Sequence, residues 1–183
     1  MRALTSLILV LPALSLAGCS GDAVTSPRSA PRANPAAMAA NQTIVPRPMS
    51  GECYLTTLAT VPYPAPPVFR QDVTGTCELT HLGHVTVQFV QVVNFATRTQ
   101  QSLELTYTAA NGDVLRAASA GTNLPTATGV TFSAAITFLG GTGRFTNATG
   151  QARAEGAANI VAGTSWYMLD GWLGYDAADR SNR

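Results

Sequence analysis

From Gly51 onward, apolar and polar residues alternate with a period of two, the pattern of strands that bury one face. In His84–Phe95, positions 85, 87, 89, 93 and 95 are Val, Val, Phe, Val and Phe. Gly129–Leu139 places Val130, Phe132, Ala134, Ile136 and Phe138 on one face, with Thr131, Ser133 and Thr137 on the other. Ser102–Ala110 places Leu103, Leu105 and Tyr107 together, and Glu52–Thr60, Val73–Leu82, Asp113–Ala120, Thr149–Val161 and Thr164–Tyr175 complete the set. Asn111-Gly112 predicts a hairpin with a type I′ turn, which needs φ > 0 at both residues. Gly83 alone separates two strands and predicts a bulge or bend. The prolines of Val61–Pro67 exclude a central strand there. Seven or eight antiparallel strands with no helices between them exclude a parallel sheet. A closed barrel or a sandwich remains, and closure would remove the edge hazard of so many Thr- and Val-rich segments.

The first fifty residues follow a different pattern. Met1-Arg2 is a short positive start, Ala3–Leu16 is apolar, and Leu16-Ala17-Gly18-Cys19 follows. This is the layout of an export signal, too short to span a membrane comfortably. Leu-Ala-Gly-Cys resembles the lipobox of bacterial lipoproteins. That resemblance implies cleavage before Cys19, lipidation of its thiol and attachment to a bacterial membrane, with Ser20 favouring the outer membrane where the host has one. Ser20–Ser50 is rich in Ala, Pro, Ser and Asn and has no apolar period, so it reads as a spacer. Arg28, Arg32 and Arg47 read as solvated linker charges. The expected organisation is a signal peptide at 1–18, a lipidated flexible linker at 19–50 and a β-barrel domain at 51–183.

Composition narrows the functions open to the chain. Hydrophobic residues make up 46% and charged residues 11%, and every one of the 11 basic residues is Arg. With Arg2 removed, 10 Arg balance 10 Asp and Glu. Without a basic cluster to neutralise phosphates, no nucleic-acid partner is expected. The apolar content also excludes a wholly disordered chain.

Two segments point to a superfamily. Phe138-Leu139-Gly140-Gly141-Thr142-Gly143-Arg144-Phe145-Thr146-Asn147-Ala148-Thr149-Gly150 resembles the G-G-T-G-[KR]-F-x-x-A-x-G signature of the dirigent and allene oxide cyclase superfamily. Gly75–Gly83 resembles a T-H-L-G element of its bacterial relatives. The resemblance covers about residues 70 to 175. It implies an all-β, eight-stranded antiparallel barrel with a mostly apolar interior, a homotrimer, and a cavity that works without a cofactor. Gly140, Gly141, Gly143, Arg144, Phe145 and Gly150 form its loop, and no catalytic residue carries over. The loop reads as structural, with glycines supplying positive φ and Phe145 and Ala148 plugging one barrel end. It does not read as a nucleotide cradle, because no helix follows and no Gly-Lys-Ser/Thr is present.

The remaining chemistry is sparse. Export places Cys53 and Cys77 in an oxidising compartment, where this even pair is expected to form a disulfide. No metal site is expected, since no C-x₂-C knuckle occurs. His81 is a candidate acid–base group. Asp170 is another, because Trp166, Met168 and Trp172 share its strand face and would disfavour its charged form. Structural roles compete with both assignments, and Trp166, Trp172, Phe132 and Phe138 read as core. Three functions follow: a barrel for a small apolar ligand or an envelope interaction, a cofactor-independent isomerase or cyclase, and a structural barrel filled by its own side chains.

Overall fold

A computed structural model describes residues 44–176. Cys19, the signal peptide and most of the linker lie outside the described residues. Eight antiparallel strands run in chain order: β1 (Pro46–Pro62), β2 (Val68–Leu79), β3 (Gly83–Asn94), β4 (Thr99–Ala109), β5 (Val114–Pro125), β6 (Gly129–Gly141), β7 (Thr149–Asn159) and β8 (Thr164–Gly174). Each pairs with its sequence neighbour, and β8 returns to β1, so the sheet closes into the barrel that the alternation leaves open. The inward residues of every strand meet in one core, including Cys53, Leu55, Val85, Val87, Tyr107, Leu115, Phe138 and Leu169.

The first strand starts earlier than Gly51. β1 pairs with β8 from Pro46 to Thr56 and with β2 from Gly51 to Pro62. Pro46, Pro48 and Pro62 therefore sit where only one neighbour is hydrogen-bonded, and a missing N–H costs nothing on the free side. Residues assigned to the linker thus belong to the barrel.

Three local expectations need correction. Gly83 is not a bulge in one long strand, because Leu79 pairs with Gly83 across a tight turn at Thr80–Leu82. His81 adopts φ 67° and Gly83 φ 73°, so a histidine supplies the left-handed residue that the turn needs. Asn111-Gly112 does mark a hairpin, but only Gly112 has positive φ. Gly112 N–H donates to the Ala109 carbonyl and Ala109 N–H to that of Asp113, both at 2.9 Å. The loop is therefore a three-residue turn closed by a left-handed glycine. In β4, Val90 pairs with Glu104 but Gln91 with Ser102, which makes Leu103 an extra residue. This bulge turns Leu103 outward while Leu105 and Tyr107 stay buried.

Cys53 and Cys77 are direct cross-strand partners on β1 and β2, both buried, and their sulfurs are bonded.

Candidate functional site

The two ends of the barrel differ. One carries the β2–β3, β4–β5 and β6–β7 connections together with the start of β1, and it is plugged. Residues Gly143–Phe145 form a 3₁₀ turn that carries Phe145 into the barrel, fully buried beside Ala148. Phe145 packs edge-on against Tyr175 at 5.4 Å. The left-handed backbone of Gly140 (φ 83°) and Gly143 (φ 53°) permits this path, and Gly141 lies tight against the Val114 carbonyl. Gly150 packs against β8 beside Phe138. Arg144 stacks over the Phe145 ring at 4.7 Å, and its Nε stands 3.9 Å from Asp113 Oδ2. Arg47 stacks over Tyr175 at 5.0 Å. With rings and an acid on this arginine, the end is a packed plug.

The opposite end is open. A cavity of about 310 Å³ enters the barrel between the β1–β2, β3–β4, β5–β6 and β7–β8 connections. This lies at the lower end of the range for small-molecule sites, about 300–1,000 Å³. Its wall is apolar: Leu55, Val73, Phe89, Phe132, Ile136 and Ala154 are among the lining residues. These are the inward positions of the period-two pattern, so strand alternation itself builds the wall. Small residues, Ala134, Ala154 and Ala158, are also among the lining residues.

Two polar tiers interrupt the wall. Near the mouth, Gln91 Nε2 donates to Gln71 Oε1 at 2.9 Å, and Gln100, Thr57 and Asn159 also line the cavity. At the floor, the Tyr107 and Tyr167 hydroxyls meet at 3.3 Å, with Tyr167 3.8 Å from Cys77 Sγ. Burial pushes Tyr107 up to about 12 and Tyr167 well above 10. The neighbouring hydroxyl opposes the rise at Tyr107 and adds to it at Tyr167. Both phenols are therefore neutral hydrogen-bonding groups across the ordinary pH range. No Asp, Glu, Arg or His lines this cavity.

Neither candidate acid–base residue reaches it. His81 is exposed on the β2–β3 turn at the plugged end, and the other histidine, His84, pairs outside with Glu78 at 2.6 Å. Asp170 lies on the outer face of β8, opposite Ser50 and Arg153. Its strand-face companions Trp166 and Trp172 are also outside, 48% and 40% exposed, so they are not core. The face shared by Asp170 and the tryptophans is the outward one, and an apolar pattern alone does not tell outward from inward. Phe138 is core as expected, and Phe132 lines the cavity. Alternation pointed to Tyr107, but its partner Tyr167 carried no distinguishing signal beside two tryptophans. The glutamine pair is legible only once β2 and β3 are in register. Among the described residues, no three His, Cys, Asp or Glu side chains converge on a metal position.

Comparison with family models, curated proteins and solved structures finds no match.

Proposed function

We propose that the protein is an exported, lipid-anchored envelope lipoprotein whose dirigent- or allene oxide cyclase-like barrel binds one small, neutral, apolar molecule. The observation that carries this reading is the open cavity of about 310 Å³ whose lining holds no charged residue. Such a wall favours an apolar guest through burial, at about 25 cal/mol per Å². It also disfavours an ion, which would lose several kcal/mol of hydration with no counter-charge in reach. Tyr107 and Tyr167 at the floor and Gln71, Gln91 and Gln100 near the mouth offer hydrogen bonds to a guest's neutral oxygen or nitrogen.

The isomerase reading has less support, because proton exchange near neutrality needs a group that titrates there. Burial holds both cavity phenols well above that range. The open cavity also weighs against a barrel filled entirely by its own side chains.

A native mass spectrum of the protein from its own host tests the reading. The expected result is a chain beginning at Cys19 with a covalent lipid and a non-covalent neutral adduct. Ala134→Trp, which fills the cavity, should lose the adduct while keeping the fold. An adduct that survives Ala134→Trp, or a parent protein that carries none and takes up no neutral apolar probe, overturns it.

A further inference from the structure

The mouth of the barrel carries a second feature. Leu58, Val61, Tyr63, Leu124, Ile160 and Val161 surround the opening and are all exposed, Val161 at 91%. Large side chains of this kind normally leave solvent, and a contiguous exposed group of them marks an interaction surface. The rim is held in place by hydrogen bonds. Ile160 N–H donates to the Thr128 carbonyl and Thr57 N–H to that of Gly163, tying the β7–β8 connection to the β5–β6 connection and to strand β1. Leu58 is the extra residue of a bulge between Thr57 and Ala59, which directs it away from the strand's regular alternation.

Charge is arranged to match. In the connections 63–67, 95–98, 126–128 and 160–163, Arg98 is the one charged residue. The nearest other charges, Arg70 and Asp72, neutralise each other at 3.1 Å. The plugged end, in contrast, gathers Arg47, Asp113, Arg144 and Asp176. A protein partner of ordinary polarity would find Arg98 as the one charged anchor in these connections. A lipid surface needs none: aliphatic side chains enter the acyl boundary, Tyr63 suits the headgroup level and a lone arginine meets phosphate.

Leu58, Ile160 and Val161 also line the cavity, so exposed apolar residues of the rim are shared with its wall. We propose that the barrel docks mouth-down on a lipid bilayer, with the β1–β2 and β7–β8 connections inserted, so that the cavity opens into the membrane rather than into water. The docked barrel then exchanges its guest with the lipid phase directly. This goes beyond the ligand reading and stands on the rim alone, so docking and guest binding can fail separately.

Photocrosslinking tests it on the full chain. The amino acid p-benzoylphenylalanine is placed at Val161 or, as the reference, at His81 on the plugged end. Each protein is bound to vesicles of phosphatidylethanolamine and phosphatidylglycerol (3:1), irradiated and mapped by mass spectrometry. The expected result is phospholipid adducts at 161 and at least ten-fold fewer at 81. The same probe at 161 with Ile160→Asp should lose most of its adducts, while the Cys53–Cys77 bond and far-UV spectrum stay unchanged. Equal adducts at both sites, no adducts at 161, or protein–protein crosslinks at 161 that mark a mouth-to-mouth dimer would each overturn the proposal.

Discussion

Gly143→Ala is the most informative single change at the plugged end. Its backbone sits at φ 53°, where any side chain costs about 1–2 kcal/mol. A Cβ there would also stand 1.9 Å from Asp113 Oδ1 and 2.4 Å from its Cγ. The carboxylate must move. As it moves it loses the Asn111 Nδ2 hydrogen bond at 2.8 Å, the Arg144 N–H bond at 3.3 Å and the nearby Arg144 guanidinium. Two partly exposed bonds of this kind contribute about 1 kcal/mol together. The expected cost is about 2–3 kcal/mol, and about 3–4 for Gly143→Val, whose branched side chain is less tolerant of this backbone. With a urea slope of about 2 kcal/mol per molar, the midpoint should fall by about 1 M or more. Asp113→Ala separates the two contributions. In that background Gly143→Ala should cost only the backbone strain, so the double-mutant cycle should show a coupling of about 1 kcal/mol. A Gly143→Ala midpoint unchanged from the parent, or an equal cost in both backgrounds, would refute the account of the plug as a strained glycine turn braced by Asp113.

Other outcomes follow from features described above. Cys77→Ser should destabilise the barrel by about 3 kcal/mol, because it reopens a loop with a sequence separation of 24; reductant should reproduce the loss in the parent and leave the variant unchanged. The raised phenols give stability that is complete below pH 10 and falls as pH rises toward about 12. Absorbance at 295 nm should accordingly show that Tyr107 and Tyr167 ionise only with unfolding, and free titration of all 5 tyrosines near pH 10 would contradict their burial. A carboxylate probe should bind the cavity at least about ten-fold more weakly than its methyl ester, and equal affinity would point to a cation in the wall. Cys19→Ser should release the protein from the membrane fraction into a high-salt wash, and retention would place the anchor elsewhere.

The alternation of β3 and β6 was sufficient to read strands, inward faces and the absence of helices, because burial on one side of a strand leaves a period of two in the residues themselves. It was not sufficient where the backbone departs from regularity. Leu103 looked like its neighbours Leu105 and Tyr107, since a bulge leaves no compositional mark. His81 looked like a strand residue because a left-handed histidine is uncommon. The Phe138–Gly150 segment was legible as a turn and plug, since each glycine answers a local steric need. The cavity was not legible. It depends on which inward residues end up at the same height around the barrel, and that height is set by the register of eight strands. Asp170 misled for a related reason: aromatic neighbours on a strand face look the same whether the face is turned in or out.

The pairing of β1 with β8 has a consequence in time as well as space. Pro46 cannot meet Gly174 until nearly the whole domain has left the ribosome. Contacts this distant in sequence form late and slow folding. Throughout that interval β1 presents residues 46–56 as an unpaired edge, the kind of template on which chains aggregate. Pro46, Pro48 and Pro62 stand at the two ends of that strand, where each withholds a backbone donor from a foreign strand. The residues that looked like linker punctuation therefore act as guards during folding, and replacing all three with Thr should lower the yield of folded protein more than it lowers the stability of the finished barrel.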